Sequence, residues 1–123
     1  MAQLTKRELD LMSVLWNRGS ATVTEVLDDL PDDIAYSTVM TILRTLEAKG
    51  HVRHEQEGKA YRFYALTEAD EAADTALGRI VNKVFHGSRE LVINRLVSNE
   101  DVSAEELRRI KDNLERRLEE LER

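Results

Sequence analysis

Apolar residues recur every three or four positions along most of this chain. Leu9, Met12 and Trp16, flanked by Leu11 and Leu15, keep helical spacing between Thr5 and Gly19. Thr5 precedes Glu8 by three residues, the arrangement of a capping box, in which hydroxyl and carboxylate each satisfy a backbone N–H near the helix start. A first helix ending at Gly19 is predicted. Thr22 and Glu25 repeat the device before Val23, Val26, Leu27 and Leu30, an apolar face that stops at Pro31, so a short second helix follows. After the acidic turn Pro31-Asp32-Asp33, the stretch Tyr36 to Lys49 carries Val39, Ile42, Leu43 and Leu46 on one side and ends at Gly50, a left-handed cap.

From His51 the period shortens. Val52 sits in an extended run, Glu57-Gly58 marks a turn, and Tyr61 and Phe63 alternate with Ala60, Arg62 and Tyr64, which predicts a β-hairpin. Three helices and then a hairpin is the order of a winged helix-turn-helix domain, the hairpin being the wing beside the reading helix. Leu66 and Thr67 mark the junction to a second module, giving a winged domain over 1–66 and a helical dimerisation domain over 67–123. In the latter, an apolar stripe from Ala72 through Ile80, Val81, Val84 and Phe85 breaks at Gly87-Ser88, and Leu91, Val92, Leu96 and Val97 form a shorter one. Ser103 and Glu106 open a final helix whose Leu107, Ile110, Leu114, Leu118 and Leu121 are spaced by 3, 4, 4 and 3. With no large domain to cover these stripes, a second copy of the chain is the expected cover, giving a two-fold homodimer with Ile80, Val84, Phe85, Leu91, Leu96, Leu107, Ile110, Leu114 and Leu118 at its interface. The fold class expected is mostly α.

Composition narrows the chemistry. The 123 residues include one proline and no cysteine, which removes disulfides, thiolate metal sites and cysteine nucleophiles. No apolar run approaches the roughly 20 residues that cross a bilayer, and the N-terminus lacks a signal pattern, so a cytoplasmic location without membrane attachment is expected. The net charge of −6 opposes simple phosphate binding. Between residues 34 and 64, however, Arg44, Lys49, Arg53, Lys59 and Arg62 outnumber Glu47, Glu55 and Glu57.

The polar face of the third helix is Ser37, Thr38, Thr41, Arg44, Thr45 and Ala48, with no carboxylate from Ala35 to Leu46. A merely solvated face would carry Glu, Lys and Gln, which favour helix more than Ser and Thr do. Short hydroxyls instead let a helix approach base edges, and threonine methyls match thymine methyls. On the wing, Lys59 lies beside the turn and Arg53 and Arg62 on the strands, in reach of flanking phosphates. His51 and His54 alternate to opposite strand faces and, with His86, read as surface histidines, so no metal is expected. No cofactor motif, nucleophile motif or paired-carboxylate arrangement appears, and an enzyme is not expected.

Taken in order, Leu4-Thr5 through Glu8-Leu9 to Val14-Leu15-Trp16, Thr22-Val23 to Leu30-Pro31, Ala35 to Thr41, Lys49-Gly50 and Gly58 to Tyr64 resemble the penicillinase repressor (BlaI/MecI/CopY) family. Phe85-His86-Gly87-Ser88, Leu91-Val92 and Ser103 to Leu107 resemble that family's dimerisation module. The resemblance implies a homodimeric repressor of palindromic operators, often controlling β-lactamase (and so antibiotic resistance) or copper homeostasis. By position it assigns reading to Ser37, Thr38 and Thr41, with Tyr36 and Arg44 nearby; an arginine common in the family is replaced by Thr45. The cysteine-rich tail of copper sensors is absent, which excludes that mode. A sensor protease that cuts an Asn-Phe bond in related proteins would meet Asn94-Arg95 here, so release by cleavage is implied with Arg95 in place of phenylalanine. The alternative from another class is a winged-helix protein-interaction module without specific DNA binding, which the acidic net charge favours.

Overall fold

The computed structural model describes residues 3–123. Both expected N-terminal capping boxes form, Thr5 with Glu8 and Thr22 with Glu25, and they start α1 (Lys6–Arg18) and α2 (Val23–Asp29). Between them lies a short strand, β1 (Ser20–Thr22), which sequence spacing does not announce. Then come α3 (Tyr36–Ala48), β2 (Val52–Glu57), β3 (Ala60–Ala65), α4 (Ala69–Lys83), α5 (Arg89–Val97) and α6 (Ala104–Glu122). The expected third helix thus ends one residue early, with Lys49 as its cap. There the Gly50 N–H donates to the Glu47 carbonyl and the His51 N–H to the Leu46 carbonyl, with Gly50 at φ +85°, a complete Schellman stop.

The sheet is antiparallel in the order β1-β3-β2. A two-residue loop, Gly58-Lys59, joins β2 to β3, and Gly58 takes φ +63° at the first loop position, as tight hairpins demand. The core is built from Leu11, Met12 and Leu15 of α1, Val26 of α2, Val39, Leu43 and Leu46 of α3, and Val52 and Phe63 of the hairpin. The buried face of α1 is turned from the one expected. Leu9 is 40% exposed, whereas Glu8 is buried. The cause is an ion pair: Lys49 Nζ lies 2.8 Å from Glu8 Oε1, so the carboxylate is paired and can occupy the inward position.

His51, expected at the surface, is buried. Its Nδ1 lies 2.7 Å from Thr67 Oγ1, and its carbonyl accepts from the N–H groups of Leu66 and Thr67. Trp16 Nε1 also donates to the Thr67 carbonyl at 2.9 Å. These bonds hold the expected junction against the first helix and the start of the wing. By packing, the chain divides into two compact units, one running to Leu77 and the other from Gly78 to Arg123.

In the second unit, Gly87 has φ +86° and follows His86 at φ +52°, which ends the helical path before α5. Ser88 caps α5 by accepting from the Leu91 N–H. Ser103 likewise accepts from Glu106 N–H at the head of α6, the hydroxyl half of the expected box. Neither α5 nor α6 contains a buried residue in the single chain.

Candidate nucleic-acid interface

The exposed face of α3 is set by its phase. Val39, Leu43 and Leu46 are buried, which leaves Ser37, Thr38, Thr41, Arg44 and Thr45 exposed on the opposite side and Tyr36, 56% exposed, at its head. Thr41 Oγ1 donates to the Ser37 carbonyl at 2.9 Å and Thr45 Oγ1 to the Thr41 carbonyl at 3.1 Å. Each hydroxyl proton is thereby used within the helix. The oxygen lone pairs remain as acceptors, and a bond to a cytosine or adenine amino group would not compete with that donation. Ala35 caps α3 without a side-chain hydrogen bond, and no acidic residue stands in the first turn. No side chain of the cap or first turn therefore offsets the positive end of the helix, a setting favourable to phosphate.

Ion pairing decides which cations are available. Arg7 pairs with Asp10 and Asp32, Arg18 with Glu25 and Asp29, Lys49 with Glu8, and Arg53 with Glu55. These contacts hold Asp29 and Asp32 below the ordinary carboxylate range through Arg18 and Arg7 respectively. Arg62, expected as a phosphate contact, is half-buried on β3, with Nη1 2.9 Å from Glu25 and Nη2 3.0 Å from Glu57. The Glu57 bond, followed by Glu25, raises its pKa. It joins the wing to α2. Among the described residues, Arg44 and Lys59 have no carboxylate partner, and Lys59 sits exposed at the wing tip. Arg53 also lies over the Tyr64 ring, 4.2 Å from its centroid.

Between α3 and the wing opens a cleft of about 140 Å³ lined by Met40, Arg44, Glu47, His54, Tyr61 and Phe63. Glu47, His54 and Tyr61 were not among the expected site residues. The pairing His54↔Phe63 and Gln56↔Tyr61 puts His54, Tyr61 and Phe63 on one face of the hairpin, a register the Gly58 turn could have supplied. Among the described residues no group of three or more His, Asp or Glu is arranged to hold a metal, and no helix is long and apolar enough to cross a membrane.

In the second unit, Ile80, Val84, Leu91 and Leu96 are 45%, 62%, 53% and 61% exposed. Leu107, Leu114 and Leu118 are also exposed along α6, while Phe85 and Ile110 are half-buried. Asn94 and Arg95 are exposed within α5, and the Asn94 carbonyl accepts from both the N–H and the hydroxyl of Ser98.

The family described as penicillinase repressor matches residues 4–116. Similar curated proteins include the transcriptional regulator BlaI of Mycobacterium tuberculosis, 34% identical over an alignment of 129 positions that covers 99% of this chain and 89% of that one. The penicillinase repressor of Bacillus licheniformis is 24% identical, covering 92% and 90% of the two chains. The methicillin resistance regulatory protein MecI of Staphylococcus aureus is 20% identical, covering 94% and 95%. Among solved structures, a transcriptional regulator from Thermotoga maritima superposes with a TM-score of 0.55 at 23% identity, covering 97% of this chain and 77% of that one. A MarR family protein from Bacillus stearothermophilus gives 0.52 at 20%, covering 99% and 78%. These two likenesses establish the winged-helix fold.

Proposed function

This chain belongs to the penicillinase repressor family, and from that premise we propose that it is a DNA-binding transcriptional repressor acting as a homodimer on a palindromic operator. The observation that carries the proposal is the outer face of α3: four exposed hydroxyl residues, no carboxylate, and an arginine without a carboxylate partner. Ser37, Thr38 and Thr41 read bases in the major groove, Tyr36 and Arg44 flank them, and Lys59 at the wing tip holds an adjacent phosphate. Membership alone would name the class; the hydroxyl face supports assigning the reading to these side chains.

The dimer is supported by α6. Leu114, Leu118 and Leu121 are 51%, 55% and 67% exposed at helical spacing, an apolar line that a single chain leaves in water. A second copy covers it and repeats the reading helix about a two-fold axis, which is why the operator is palindromic. Release by a sensor protease at Asn94-Arg95 fits the exposure of α5. Because the scissile carbonyl is bonded twice to Ser98, cutting requires that the last turn of α5 first unwind.

Footprinting on the DNA upstream of the gene tests the proposal. Two protected patches on one face of the duplex, about 10 base pairs or a multiple apart, are expected. Absence of any protected patch would contradict it.

A further inference from the structure

Arg44 and Glu47 stand three residues apart on α3, a spacing at which opposite charges meet on a helix surface. Elsewhere in this chain the same order and spacing forms an ion pair in two places, Arg7 with Asp10 at 3.2 Å and Arg117 with Glu120 at 3.0 Å, and none between Arg109 and Asp112 or Arg116 and Glu119. Arg44 forms none. The Glu47 carboxylate is engaged instead by His54 on β2, whose Nδ1 lies 2.8 Å from Glu47 Oε1 and 2.6 Å from Oε2, so that both carboxylate oxygens turn toward the wing. The imidazole is itself held from behind. Tyr61 meets it edge-on with centroids 5.0 Å apart at 81°, and Phe63 lies 5.6 Å away. Arg44, Glu47 and His54 all line the one cleft between reading helix and wing.

We infer that His54 is a positioning residue for DNA reading: by holding Glu47, it prevents an Arg44–Glu47 pair and keeps the Arg44 guanidinium available to the duplex. The inference rests on the DNA-reading role proposed above for α3. Without the hold, Glu47 both neutralises Arg44 and brings a free carboxylate toward phosphate. His54 therefore governs affinity without touching DNA, and it couples the wing to the charge of the reading helix.

The test compares His54→Leu, which keeps apolar packing against Tyr61 and Phe63 but removes the ring nitrogen, with His54→Gln, which keeps an amide donor of similar size. Binding to the operator duplex and to a scrambled duplex is measured over a range of salt concentrations, with melting temperatures recorded for every variant. His54→Leu is expected to weaken operator binding on the order of tenfold. Its salt slope is expected to become shallower by about 0.9 for each phosphate that Arg44 no longer neutralises. His54→Gln is expected to bind close to the unaltered protein, and adding Glu47→Gln to His54→Leu is expected to restore affinity. A general loss of fold would be shared by His54→Leu and the double variant and could not produce that recovery. Equal binding by the Leu and Gln variants, or no recovery in the double variant, would overturn the inference. Failure of the unaltered protein to prefer its operator would overturn the reading role itself and this inference with it, an outcome seen before any variant is made.

Discussion

Lys49 at the end of α3 and Glu8 in the first turn of α1 form an ion pair of 2.8 Å, and Glu8 at the same time accepts from the Thr5 N–H at 2.8 Å. One carboxylate thus caps α1 and fastens the far end of α3. Burial pushes the Glu8 pKa up, but Lys49 and the Thr5 N–H more than offset it, and the carboxyl lies below its ordinary value.

Removing either partner should therefore be felt in stability. Glu8→Ala loses a cap contribution and leaves the Lys49 ammonium without its carboxylate, for a cost of about 2 kcal/mol. A carboxyl with a depressed folded pKa contributes stability that is present above its unfolded value, near pH 4, and is lost as pH falls through the folded value. Urea midpoints measured from pH 7 down to about 3 should fall steeply at the acid end for the native protein and less steeply for Glu8→Gln. Parallel acid limbs would remove Glu8 from this role.

The roles proposed for the outer face of α3 and for the wing tip separate by specificity. Thr41→Ala is expected to erode the preference for operator over scrambled duplex by about 1–3 kcal/mol, since it takes away a methyl and an acceptor at a base edge. Lys59→Ala should weaken binding to both duplexes alike. Competition titrations distinguish these results, and an equal loss from both variants on both duplexes would refute the assignment.

Arg62 should behave as a strut. Because Glu25 and Glu57 already engage its guanidinium, Arg62→Ala is expected to lower the melting temperature while leaving the salt slope of DNA binding unchanged. A clear fall in the slope would return Arg62 to the phosphate contacts.

These differences mark what the sequence could and could not convey. The helix starts at Thr5 and Thr22 and the stop at Gly50 were legible because a cap is fixed by residues within a turn of each other. The inward face of α1, the burial of His51 and the strand Ser20–Thr22 were not. Each depends on a partner distant in sequence: Lys49 for Glu8, Thr67 for His51, and Arg62 to Tyr64 of β3 for β1. On α3 the hydroxyl residues were readable from composition, since Ser and Thr are weaker helix formers than the Glu, Lys and Gln of an ordinary solvated face. Arg62 and His54 were not readable, since only folding brings Glu25, Glu57 and Glu47 against them.

The second unit makes the assembly testable. Leu114→Asp puts a charge in the middle of the exposed apolar line of α6, and sedimentation should show a monomer with operator affinity much reduced, because a single half-site binds weakly. A dimer of unchanged stability would place the interface elsewhere.

The most direct test is a fluorescence-anisotropy titration of the protein against its own upstream DNA and a scrambled duplex, at low and at physiological salt. A repressor should bind the upstream DNA about a thousandfold or more tighter, with affinity for both falling as salt rises. Equal and weak binding to the two duplexes would contradict operator reading and favour a winged-helix module that docks on protein.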